Sequence, residues 1–169
     1  QYQTWMEQGH EILVHGNTNV QEHTPLSDAE VEQKIIEAKE MIEKYQFNGT
    51  GYVSLQGSTA ERFIPIIKKY FDYGATQGNR TGTDTPQYLS FGTDGPFKLW
   101  RYGMQGASLQ QMKDAVDAAI SNNGLLLFYT HARTDSIGGA TDENINALLS
   151  YIKTKEDACL IALKTAQDC

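Results

Sequence analysis

Ser108 to His131 reads SLQQMKDAVDAAISNNGLLLFYTH, and the fold turns on this passage from a helix into a strand. Ser108 and Gln111 stand at capping-box spacing, in which the hydroxyl accepts from the backbone one turn on and the amide reaches back. Leu109, Met112, Ala115, Val116, Ala119 and Ile120 then recur at helical spacing, and Asn123-Gly124 supplies the residues that close a helix. The run LLLFY, Leu125 to Tyr129, is apolar without interruption, which predicts a strand buried on both faces. His131 follows at its carboxyl end.

The same order extends in both directions. Upstream, the residues QYQTWMEQG resemble the end of a helix closed by Gly9, and EILV, Glu11 to Val14, is a short strand candidate ending at His15. Ser27 and Glu30 form a second capping box, for a helix carrying Val31, Ile35, Ala38, Ile42 and Tyr45 on one stripe. GYVSLQ, Gly51 to Gln56, predicts a strand. Ser58 with Glu61 opens a helix with Phe63, Ile64, Ile67 and Phe71, where Pro65 forces a kink or a late start. A short strand near Ala75, the segment KLWRY and, downstream, a Thr141-capped helix with Ile145, Leu148, Leu149 and Ile152 continue the series. CLIAL, Cys159 to Leu163, is the last strand candidate. Strands separated by helices in regular order predict α/β architecture with a mainly parallel sheet, because parallel neighbours need crossover helices. Gly78 to Pro96 has no period and predicts a functional loop.

With 169 residues the chain reads as one domain, 1–169. A net charge of −7, spread along the chain, argues against nucleic acid as a partner. No apolar run approaches the roughly 20 residues that cross a bilayer. The two cysteines, Cys159 and Cys169, make neither a disulfide framework nor a Cys-ligated zinc site; they read as a small core residue and a chain end. The chain starts at Gln1 rather than Met, and it is expected to be part of something longer. The sequons at Asn48 and Asn79 are expected by chance.

No dinucleotide fingerprint, P-loop, H-E-x-x-H or nucleophile elbow is present. In parallel α/β folds ligands gather at the carboxyl ends of strands, which is where His15 and His131 fall. For His15 the plain alternative is a loop histidine, and for His131 a core histidine with a satisfied hydrogen bond. Tyr88, Phe91, Phe97, Trp100 and Tyr102 lie in or beside the long loop; they suit stacking on sugar rings, and loop packing explains them as well.

QGHEILVHGNTN followed by LSDAEVEQKIIEAKEMIEKYQF resembles the second conserved block of the polysaccharide deacetylase family of carbohydrate esterases. GSTAERFIPIIKKYFDYGAT, KLWRY with SLQQMKDAVDAAISNNG, and LLLFYTHA resemble its later segments in the family's order, over nearly the whole chain. The resemblance implies a distorted, incomplete (β/α) barrel of about six mainly parallel strands. It also implies divalent-metal chemistry, usually zinc, that removes acetyl groups from N-acetylated polysaccharides of the chitin or peptidoglycan kind. In that chemistry one Asp and two His hold the metal, a second Asp is the base and a distant His protonates the leaving amine.

Carried over by position, His15 matches the first metal histidine and His131 the histidine acid. Asn19 stands where the second metal histidine belongs, and an amide oxygen is a poor substitute for imidazole on zinc. His23 could replace it from the same loop but fits no family spacing, and His10 reads as structural. The family's Asp-Asp pair lies on a strand upstream of this block, ahead of the position of Gln1. VSLQ, Val53 to Gln56, replaces the Arg-Pro-Pro of many members, and that Arg is the one that orients the catalytic Asp. The implied alternative is a pseudoenzyme, a non-catalytic glycan-binding or structural module of a surface or virion protein. A barrel lacking its first strand implies completion by a homodimer partner or by an N-terminal segment. The resemblance implies an extracellular, cell-envelope or virion location, with Tyr88 and Trp100 contacting the sugar.

Overall fold

The structure, a computed structural model, describes residues 2–15, 26–54, 61–75, 95–131 and 140–163, with the backbone alone at Asn79–Arg80 and Leu89–Ser90. These residues gather into two compact units, each with its own apolar core.

The first unit runs from the N-terminus to Ala75 and includes Pro96–Leu99. It holds helix α1 (Tyr2–Glu7), helix α2 (Asp28–Lys44), strand β1 (Gly51–Val53), a 3-10 turn (Glu61–Phe63) leading into helix α3 (Ile64–Ile67), and strand β2 (Tyr73–Ala75). Helix α2 starts where its capping box predicts: Glu30 N donates to Ser27 Oγ at 3.3 Å and Ser27 N donates to Glu30 Oε2 at 2.8 Å. Pro65 falls in the first turn of α3, where no helical bond needs its missing N–H, so the expected late start is observed. Strands β1 and β2 are parallel, with Gly51 opposite Tyr73 and Val53 opposite Ala75. On the other edge of β1, Val14 forms a parallel bridge to Tyr52. Val31 and Ile35 of α2 close over Tyr52, Phe63, Ile67 and Phe71 to make the core. Each such side chain removed from water contributes about 1.5–3 kcal/mol before the entropy of ordering it is subtracted.

The second unit holds strands β3 (Asn79–Arg80), β4 (Leu89–Ser90) and β5 (Arg101–Gly103), helix α4 (Leu109–Ser121), strands β6 (Gly124–Leu125) and β7 (Phe128–Tyr129), and helix α5 (Asp142–Asp157). Strand β5 lies between β3 and β7, all parallel, while β4 pairs antiparallel with β6. Helix α4 has both halves of the predicted Ser108–Gln111 capping box, and Thr141 caps α5. Met112, Ala115 and Val116 of α4 pack with Tyr102, Met104 and Leu148 in the core.

The expected barrel is not formed. Among the described residues the strands are two or three residues long and belong to separate sheets of two, three and two strands. No continuous sheet of about six strands exists among them to be closed. EILV contributes only the bridge at Val14. LLLFY is not one strand buried on both faces: Gly124–Leu125 pairs antiparallel, Phe128–Tyr129 pairs parallel, and both are half-buried. CLIAL forms no strand, because Cys159 takes a left-handed φ of 56° to close α5 and residues 159–163 join no sheet. Cys159 is therefore exposed rather than a core residue. Tyr45 and Leu149, read on buried helix stripes, are 53% and 56% exposed. Ser58 lies outside the described residues. No helix among the described residues is long and apolar enough to cross a membrane.

Candidate functional site

The carboxyl ends of β5 and β7 bring polar side chains together. The register pairs Gly103 with Tyr129, and Met104 N donates to Tyr129 O at 2.9 Å, carrying the two chains in step past the last paired residues. Alternate residues of a strand share a face, so Arg101 and Gly103 fall on the side of Tyr129, and the turn after β5 brings Gln105 to His131 beyond the strand ends. Tyr102 and Met104, on the other face, enter the core with Phe128 packed against them. His131 is exposed at the end of this row.

His131 is held on two sides. Its Nδ1 is hydrogen-bonded to Gln105 Oε1, and its ring meets the Tyr129 ring edge-on, with centroids 5.8 Å apart. The Arg101 guanidinium lies 5.6 Å from the centroid of the same tyrosine. Burial pushes the Arg101 pKa below its ordinary value, and Tyr129 works against that shift. The turn after β5 fixes Gln105: Ala107 N donates to Met104 O at 3.3 Å, Gly106 takes a φ of 80°, and the Ser108 cap then sets the start of α4. A side-chain oxygen on a short, closed turn thus faces a histidine at a strand end. The ring edge turned away from Gln105 is the one that such an arrangement can offer to a ligand.

His15 is exposed, one residue past the Val14 bridge in the first unit. Three contacts hold its segment. Val53 N donates to Val14 O at 2.9 Å. The Asn48 side chain clamps the backbone, its Nδ2 donating to His10 O at 2.9 Å and its Oδ1 accepting from Ile12 N at 3.0 Å. Tyr73 Oη donates to Glu11 Oε2 at 2.8 Å, and burial, reinforced by that carboxylate, raises the Tyr73 pKa. The clamp takes the carbonyl of His10 and not its ring.

Asn19, His23 and Tyr88 lie outside the described residues, and Trp100 is half-buried. Among the described residues no three His, Cys, Asp or Glu side chains gather around a point where a metal could sit. Of the ligand positions the family resemblance implies, His15 is the one within the described residues. Val53, the last residue of β1, is half-buried and stands where the family resemblance implies an arginine.

Arg101, Gln105 and Tyr129 were not legible as site residues from composition or motif. The signal that could have found them is positional: RYGMQ and FYTH are parallel strand ends that run on equally far past the paired residues. Comparison with protein-family models, with curated proteins and with solved structures finds no match to this chain.

Proposed function

We propose that this chain is a polysaccharide deacetylase-like domain that engages N-acetylated glycans of the chitin or peptidoglycan kind, outside the cell or on a virion, with His131 at the site. The observation that carries the reading is His131 itself, exposed at the end of parallel strand β7 and held by Gln105 and Tyr129. Hydrolysis of an N-acetyl amide places the oxygen of water on the carbonyl carbon and must return a proton to the departing nitrogen. A held imidazole within hydrogen-bond reach supplies that proton, a contribution of about 10²–10⁴-fold to rate. No step is assigned to a metal, since of the implied ligand positions the described residues include His15 alone.

A second reading, a glycan-binding or structural module without catalysis, is favoured by Asn19 at a ligand position and by Val53 where the family pattern has Arg. Acetate release from chitooligosaccharides, with and without added zinc or cobalt, separates the two. The deacetylase reading predicts release that falls by about 10²-fold or more in His131→Ala. Binding with no release at any metal concentration would establish the second reading, and absence of both would reject the family assignment.

A further inference from the structure

We propose that Gln105 selects the tautomer of His131, so that Nε2 is the ring atom offered to a ligand. A carbonyl oxygen carries no proton, so in the Gln105 Oε1 contact the proton belongs to His131 Nδ1. A neutral ring held in this way has its lone pair on Nε2, the opposite of the tautomer that predominates in free histidine. The contact is built in by the fold. Gly103 and Tyr129 are register partners, Gln105 and His131 stand two residues beyond them, and the Met104–Ala107 turn sets the backbone from which the amide reaches the ring. Tyr129 meets the imidazole edge-on. Gln105 is thus a positioning residue, acting only through His131.

The ligand chemistry follows from Nε2. A neutral His131 accepts a hydrogen bond there, which suits a donor such as a sugar hydroxyl or the N–H of an acetamido group, and it must take up a proton at Nε2 before it can give one. This ligand assignment rests on the glycan reading; the tautomer does not.

The test is the two-bond proton–nitrogen correlation of isotope-labelled histidine rings at about pH 8.5, above the ordinary histidine range. His131 is assigned from the signal missing in His131→Gln. In the wild-type protein Nδ1 should read as protonated and Nε2 as unprotonated. Gln105→Leu should lose that pattern and revert to the Nε2–H form, and Gln105→Glu, whose carboxylate can only accept, should restore it. An Nε2–H pattern in the wild-type protein overturns the proposal without recourse to any variant, as does a wild-type pattern that survives in folded Gln105→Leu. Because ring protonation is the readout, absence of acetate release would count against the deacetylase reading alone.

Discussion

At the scale of single residues, the first unit depends on two glycines that make room for other groups. A β-carbon on Gly51 would lie 2.2 Å from the ring of Tyr73, and one on Gly49 would lie 2.2 Å from the carbonyl oxygen of Ile12. The Tyr73 ring is held by its bond to Glu11 and cannot retreat without breaking it. Gly51→Ala is therefore expected to destabilise the protein by about 1–3 kcal/mol, read from the denaturant midpoint, where a solvent-facing Gly→Ala would be near neutral or stabilising. Asn48→Ala removes two hydrogen bonds to the segment that ends at His15, a loss of about 1 kcal/mol or more. Asn48→Asp keeps only the acceptor to Ile12 N and should fall between the two; equal stability of all three proteins would show that the clamp contributes nothing.

At the scale of elements, the helix starts at Ser27, Ser108 and Thr141 were legible, as was the end of α2 near Tyr45, while the conformation that ends α5 was not. Capping boxes are local patterns, so Ser27–Glu30 and Ser108–Gln111 could be read directly, and Ser108→Ala should cost about 1 kcal/mol. Among the described residues four helices end with a left-handed residue just past the cap: Gly9, Gln46, Asn123 and Cys159. Glycine and asparagine announce that conformation, whereas glutamine and cysteine do not. At α5 the closing bonds are Cys159 N to Glu156 O at 2.8 Å and Leu160 N to Lys155 O at 3.0 Å, and this termination displaces the expected CLIAL strand. A left-handed non-glycine residue costs about 1–2 kcal/mol, against about 0.5–1 kcal/mol of extra chain entropy for glycine. Cys159→Gly should therefore stabilise the protein by about 0.5 kcal/mol, and a lowered unfolding midpoint would contradict this account of the helix end. Helices α4 and α5 are joined at Asp117, whose carboxylate takes Lys155 at 2.7 Å and the Tyr151 hydroxyl at 2.7 Å. Lys155 first and Tyr151 second hold its pKa below the ordinary value. A lowered folded-state pKa gives stability that is present above the unfolded value, about 4, and is lost as pH falls through the folded one. Asp117→Asn should accordingly flatten the decline of the denaturant midpoint as pH falls below about 4.

At the scale of the whole molecule, the alternation of helices and strands was legible but the joining of strands was not. Periodicity and caps report on neighbours in sequence, while a sheet is made by pairing distant segments, and nothing in LLLFY indicates that its two ends take different partners of opposite direction. The expected barrel fails for that reason, although strand ends still mark where His15 and His131 stand. The candidate site was legible in its histidine and not in its support, because Gln105 sits in a turn, where no period singles it out. The central claim is that His131 faces an N-acetylated glycan, and the most direct measurement is a titration of chitooligosaccharide into protein with isotope-labelled histidine, following the ring signals. The account predicts a saturable shift of the His131 signals that Gln105→Leu weakens, with His10 unmoved; His131 signals unchanged at saturating oligosaccharide would contradict it.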